Sequence, residues 1–159
     1  MDKNTVCDMY NRYSTEIFRF ALTMVRETEE ASDIMQETFL RALEENKLRY
    51  VNGTQRAWLY KVTRNLCYDR LRRRKKEGDF LFTADEVLTP APESPSQAEF
   101  ILILSALDEL NRQIVSLKII GNLTHAEIAG VMGMTVHAVK KRYERSLRKL
   151  KEIYVEQGY

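Results

Sequence analysis

The chain is poor in the residues that build staples, metal cages and turns. Its only prolines, Pro90, Pro92 and Pro95, stand together, so no proline interrupts helices elsewhere. The two cysteines, Cys7 and Cys67, lie far apart without CxxC spacing, and each is expected to be a reduced, packed thiol. With only His125 and His137 as histidines, a structural zinc site is not expected. A Gly-rich phosphate loop, a His/Cys/Asp triad and a metal-ligand cluster are all missing, which argues against an enzyme, a cofactor or a small-molecule substrate. No run approaches the ~18 apolar residues of a spanning helix, so membrane insertion is not expected. Met1-Asp2-Lys3-Asn4 lacks the basic-then-apolar order of a signal peptide, and the chain reads as soluble and cytoplasmic. What remains is ordinary globular material: 159 residues, 44% hydrophobic and 30% charged, enough for one domain or two small helical ones.

Net charge is only +2, but it is unevenly distributed. Residues 1–55 carry net −3, residues 56–76 net +8, residues 77–109 net −8 and residues 110–159 net +5. Two basic elements separated by an acidic spacer can grip one polyanion in two places while the molecule stays nearly neutral.

The clustered prolines place an acidic linker at 77–96, between domains at 1–76 and 97–159. Phe80-Leu81-Phe82 is too apolar for a purely solvated tether. The remainder reads as helix, and the fold class is all-α: an N-terminal helical bundle and a C-terminal helix-turn-helix. Thr28 is expected to cap a helix whose apolar positions are Ala31, Met35, Phe39 and Ala42/Leu43. Ser96-Gln97-Ala98-Glu99 and Thr124-His125-Ala126-Glu127 have the capping-box form, and Asn111 is expected to cap a helix over Ile114, Val115 and Leu117.

Three stretches carry chemistry. In Thr124–Tyr143 a short helix runs to about Met132, Gly133 supplies a left-handed turn, and Thr135 caps a second helix. That is a helix-turn-helix, whose second helix enters the major groove. Val136, Val139, Tyr143, Leu147 and Leu150 form its apolar stripe; Ala138, Lys141, Arg145 and Arg148 form the opposite face, flanked by His137, Arg142 and Lys149. His137, Ala138, Lys141 and Arg142 should approach base edges, and the later arginines phosphates.

The second stretch, Arg56–Lys76, reads as a helix apolar on two sides. Between them runs a strip of Lys61, Asn65, Tyr68, Arg72 and Lys75, suited to a phosphate backbone and unstacked bases. Trp58 is expected to anchor the core, and the charged run Arg72–Glu77 can equally be a solvated helix end. The third stretch, Glu29–Ala42, turns Asp33, Gln36, Glu37 and Arg41 outward, toward water or a protein partner.

Together these stretches resemble a bacterial RNA polymerase sigma factor of the extracytoplasmic-function (ECF) type. Asp33-Ile34-Met35-Gln36-Glu37-Thr38-Phe39-Leu40-Arg41-Ala42 is similar to the family's core-polymerase-binding motif. Ala57 to Leu66, with Asp69 and the basic tail that includes Arg73, resembles its melting and minus-ten-reading helix. Leu107-Asp108-Glu109-Leu110, then Leu123 to Arg145, resembles its minus-thirty-five-reading domain. The chain departs from the family at Asn111 (often proline), at Gln55 (usually aromatic, beside a base-capturing loop at 49–55), and at Ala138 and Lys141 (commonly Thr and Ser). The resemblance implies a promoter-specificity subunit that binds core RNA polymerase and promoter DNA, assists strand opening, and is held by an anti-sigma factor. The rival readings are a stand-alone helix-turn-helix regulator, which leaves the strip at 61–75 unexplained, and a small RNA-binding protein.

Overall fold

The computed structural model describes residues 2–45, 54–77 and 95–156. The expected linker and the loop at 49–55 lie largely outside these residues. The described residues form seven helices: α1 (Lys3–Val25), α2 (Thr28–Glu44), α3 (Gln55–Lys76), α4 (Pro95–Leu104), α5 (Glu109–Ile119), α6 (His125–Met132) and α7 (Val136–Glu156). The all-α expectation holds. Helix α4 starts at Pro95, where a fixed φ and a missing N–H cost nothing in a first turn, so Ser96 falls inside the helix and not at the cap expected of it.

Two other caps also differ from expectation by a shift along the chain. Glu27, extended at φ −143°, caps α2 through its carboxylate, which accepts from the N–H groups of Glu29 (3.2 Å) and Glu30 (3.0 Å). Thr28 is therefore the first helical residue, not the cap. The carboxylate meets the positive helix end, an advantage a hydroxyl lacks. Likewise Asp108 caps α5, accepting from the Asn111 N–H at 2.9 Å, so Asn111 stands inside the first turn. The box at Thr124 forms as expected: Thr124 Oγ1 accepts from Glu127 N–H (3.1 Å) and Glu127 accepts from Thr124 N–H (2.9 Å).

Helices α1, α2 and α3 pack on one another around Ile17, Phe20, Val25, Ile34, Leu59 and Tyr60, all fully buried. Each large side chain so buried contributes about 1.5–3 kcal/mol relative to exposure. Thr38 and Thr63 share a buried hydrogen bond (3.0 Å) that ties α2 to α3. Arg74 does not belong to a solvated helix end: it is buried, pairs with Glu30 and donates to the Val25 carbonyl at 2.8 Å. Its guanidinium thus serves an open carbonyl at the end of α1, as polar groups taken from water require.

In the C-terminal half, α5, α6 and α7 pack on one another, with a satellite cluster of Leu104, Leu107, Val115 and Leu150. The main hydrophobic cluster does not stop at the linker. It includes residues from Val6 to Val139, with Ile114, Leu117, Leu123 and Ile128 joining the core of the N-terminal half. Gly121 marks a close approach: a Cβ there would lie 2.9 Å from Tyr60 Cζ and 2.8 Å from the Leu117 carbonyl oxygen.

Candidate nucleic-acid interface

Helix α6 ends where Gly133 takes φ 67°, ψ 37°, a left-handed conformation open to glycine at no steric cost. Two residues on, Thr135 Oγ1 accepts from Ala138 N–H at 3.1 Å and starts α7. The turn therefore has the expected geometry. The apolar stripe of α7 is narrower than expected: Val139 and Leu150 are buried, while Val136 (48%) and Leu147 (40%) are exposed. Ser146 is buried instead, its hydroxyl satisfied by the Arg142 carbonyl at 2.7 Å. This stripe rests on α5 and α6, where Tyr143 meets the His125 ring edge to face at 5.7 Å.

His137, Lys141, Arg145, Arg148 and Lys149 are exposed along one side of α7, with Thr135 at its start. Ala138 and Arg142 are half-buried at the edge of that side. Arg142 donates from Nη1 to Asn111 Oδ1 at 3.2 Å. A cationic helix face with its N-terminal end free suits a groove walled by phosphates.

On α3, Lys61, Asn65, Arg72, Arg73 and Lys75 are exposed, and Arg72 forms a surface pair with Asp69. Tyr68 differs from its neighbours: it is half-buried, and its hydroxyl accepts from Gln113 Nε2 of α5 at 2.8 Å. The other end of that buried amide, Gln113 Oε1, accepts from Arg64 Nε at 2.7 Å, and the Arg64 guanidinium lies over the Tyr68 ring at 4.9 Å. The C-terminal half thus engages the one aromatic residue of the strip. Nothing in the local spacing reveals Gln113, because its partners lie 45 and 49 residues away.

One further hydrogen bond joins the halves. Thr54, the cap of α3, donates to Glu127, the acid of the α6 box. Burial pushes the Glu127 carboxyl up, but the hydrogen bonds from Thr124 and Thr54, with Arg56 nearby, outweigh it and hold the group below the usual glutamate range. Beside it, within the N-terminal half, Tyr60 of α3 donates to Glu16 of α1 at 2.9 Å and Arg56 pairs with that carboxylate at 3.0 Å. Burial first, and the Glu16 charge second, raise the Tyr60 hydroxyl far above its ordinary value.

On α2, Asp33, Gln36 and Arg41 are exposed and Glu37 is half-buried, with Arg41 reaching Glu37 at 3.5 Å. Leu40 (57%) and Leu43 (42%) share that outward surface. Leu43 was expected in the inner stripe, but Ala42 takes the inner position. Leu40 lies there because its i+3 and i+4 offsets from Glu37 and Gln36 put it on the polar face, a signal present in the spacing alone. Exposed apolar side chains rimmed by charges are the composition typical of protein-binding surfaces.

Neither cysteine forms a disulfide. Cys67 is buried in the core and Cys7 is exposed, so only the former is the packed thiol expected of both. Burial pushes the Cys67 thiol up to about 12. Among the described residues no helix is long and apolar enough to cross a membrane.

The chain matches the family models Sigma-70 region 2 over residues 9–77 and Sigma-70, region 4 over residues 97–150. It is 28% identical over 156 residues to the ECF RNA polymerase sigma factor SigM of Bacillus subtilis, covering 94% of this chain and 95% of that one. It is 29% identical over 169 residues to SigW of the same organism, covering 95% and 89%. Among solved structures, the sigma factor RpoE in complex with the anti-sigma factor NepR from Bartonella quintana superposes with a TM-score of 0.74 at 22% identity, over 91% of this chain and 93% of that one. CnrH in complex with the cytosolic domain of CnrY gives a TM-score of 0.73 at 21% identity, over 99% and 92%. Those two likenesses establish the fold. With both sigma-70 regions matched in order along the chain and full-length ECF relatives, the chain belongs to the sigma-70 family as a member of its ECF type.

Proposed function

We propose that this sigma factor works through three separate surfaces. The chain directs RNA polymerase to promoters, and as a sigma factor it is an initiation factor without catalysis of its own. In our reading, residues 1–76 bind core polymerase through Asp33, Gln36, Glu37 and Arg41, with Leu40 as the apolar anchor. The same half reads and holds the opened downstream element through Lys61, Asn65, Tyr68, Arg72 and Arg73. Residues 97–159 read the upstream element through Thr135, His137, Ala138, Lys141, Arg142, Arg145 and Arg148, and residues 77–96 link the two. Its place is the cytoplasm, where promoter DNA is. Both superposed relatives are held by a second protein, NepR or the cytosolic domain of CnrY, so an anti-sigma factor is the third partner we assign.

The observation that carries this reading is the separation of chemistry. The α2 face combines acids with exposed leucines, whereas the α3 strip and the α7 face are cationic, with most of their cations exposed. Acidic and cationic surfaces cannot serve the same polyanion, so one faces polymerase and two face DNA. The decisive experiment reconstitutes core polymerase with the chain and measures transcription from duplex and pre-melted templates. Asn65→Ala with Arg72→Ala should reduce duplex transcription and leave core binding intact, with partial recovery on the pre-melted template. Full duplex activity, with an unchanged melting curve, removes the α3 strip from strand opening.

A further inference from the structure

Asn111 and Arg142 come from different helices and meet at the edge of the α7 groove face. The asparagine amide is held at both ends. Its Nδ2 donates to Asp108 Oδ2 at 3.2 Å, while its backbone N–H donates to Asp108 Oδ1 at 2.9 Å. This leaves Oδ1 turned away from the carboxylate, and Arg142 Nη1 donates to it at 3.2 Å. The reverse amide orientation would set oxygen against carboxylate and NH2 against guanidinium, so the chemistry admits only this one. Asp108 in turn is fixed as the α5 cap. The result is a relay from a helix cap, through an amide, to a guanidinium 31 residues further along the chain.

A neutral amide is the informative choice at this place. A carboxylate would neutralise the guanidinium and could engage two of its N–H groups side by side. The amide oxygen takes one donor of five, leaving the full charge and most of the planar fork for another acceptor. A half-buried arginine fixed in this way loses less freedom when it meets DNA than a free one on the surface.

We propose that Asn111 is a positioning residue for promoter reading: held by Asp108, it sets the direction of the Arg142 guanidinium and thereby which base pair of the upstream element that arginine discriminates. The proposal rests on the reading that α7 enters the major groove. Arg142 touches the base edge; Asn111 does not.

The test uses holoenzyme assembled from core polymerase and the full chain, incubated with duplexes randomised across the upstream element; bound duplexes are sequenced. Wild type, Asn111→Ala, Arg142→Ala and the double variant are compared. Asn111→Ala keeps the backbone N–H that Asp108 caps, and a melting curve checks its fold. Asn111→Ala and Arg142→Ala should flatten preference at the same base pair, each by about fivefold or more, the lower end of a good base contact. The double variant should be no flatter than Arg142→Ala. Asn111→Asp loses the Nδ2 donor, sets a second carboxylate against Asp108 and occupies the Arg142 fork, so it should flatten preference at that same base pair. If Asn111→Ala keeps the wild-type preference while Arg142→Ala loses it, positioning is refuted and the groove reading stands. If Arg142→Ala also keeps the preference, the base contact itself is absent. An unchanged base preference in folded Asn111→Asp would overturn the proposal even were the alanine variant unfolded.

Discussion

The joint between the halves turns on Gln113, and Gln113→Ala probes how firmly it is closed. The native amide accepts from Arg64 Nε at 2.7 Å and donates to the Tyr68 hydroxyl at 2.8 Å, at a site 2% exposed. A hydrogen bond to a charged group contributes about 1.5–3 kcal/mol and a neutral one about 0.5–1.5. Arg64 is only half-buried and keeps its place over the Tyr68 ring, so water recovers part of the loss. We therefore assign about 2 kcal/mol to the two bonds. The truncated side chain leaves a void that adds about 1 kcal/mol. Alanine has little surface to hide and does not reward closure. A total of about 3 kcal/mol corresponds to roughly a hundredfold rise in the ratio of open to closed molecules. Cys7 offers an exposed labelling site on α1, and Lys149→Cys adds one on α7, while buried Cys67 stays unlabelled. Single-molecule energy transfer between the two dyes then counts separated halves directly. A change below about threefold would refute this account of Gln113, because closure would rest on apolar packing alone.

On α2, Glu37→Lys and Leu40→Glu should each weaken binding to core polymerase in a co-elution assay, with stability changed by under ~0.5 kcal/mol; undiminished binding by both counts against that surface. Glu127 is held below the ordinary glutamate range in the fold, so its contribution is complete above the unfolded value and is lost as pH falls through the lowered folded one. Urea unfolding of wild type and Glu127→Ala should accordingly differ by about 1 kcal/mol near neutrality, with the gap closing below about pH 4. Iodoacetamide at about pH 8 should add one group, on Cys7, because Cys67 is buried and protonated there; a second adduct on folded protein would show that the core opens readily.

Much of this protein is written in local chemistry. The three-to-four spacing of apolar residues, the lone proline cluster and the Thr124–Glu127 box determine the helices and the helix-turn-helix, since each depends on atoms a few residues apart. The exposed cations of α3 and α7 were legible for the same reason: a helical wheel assigns them to polar faces whatever the partner helix is. Caps were less legible. Glu27, one residue before Thr28, and Asp108, three before Asn111, take the caps because a carboxylate meets orphan N–H groups with a charge as well as an acceptor. What only the tertiary structure decided lies where distant segments meet. Arg74 is drawn from a run of solvated cations into the core because α1 ends beside it with an open carbonyl at Val25. Tyr68 is taken from the exposed strip because Gln113 of α5 reaches it, and Arg142 is directed by Asn111. Val136 and Leu147 stay in water because α5 and α6 cover only a narrow stripe of α7. Periodicity says which side of a helix can be buried, but how wide that side is depends on the shape of what packs against it.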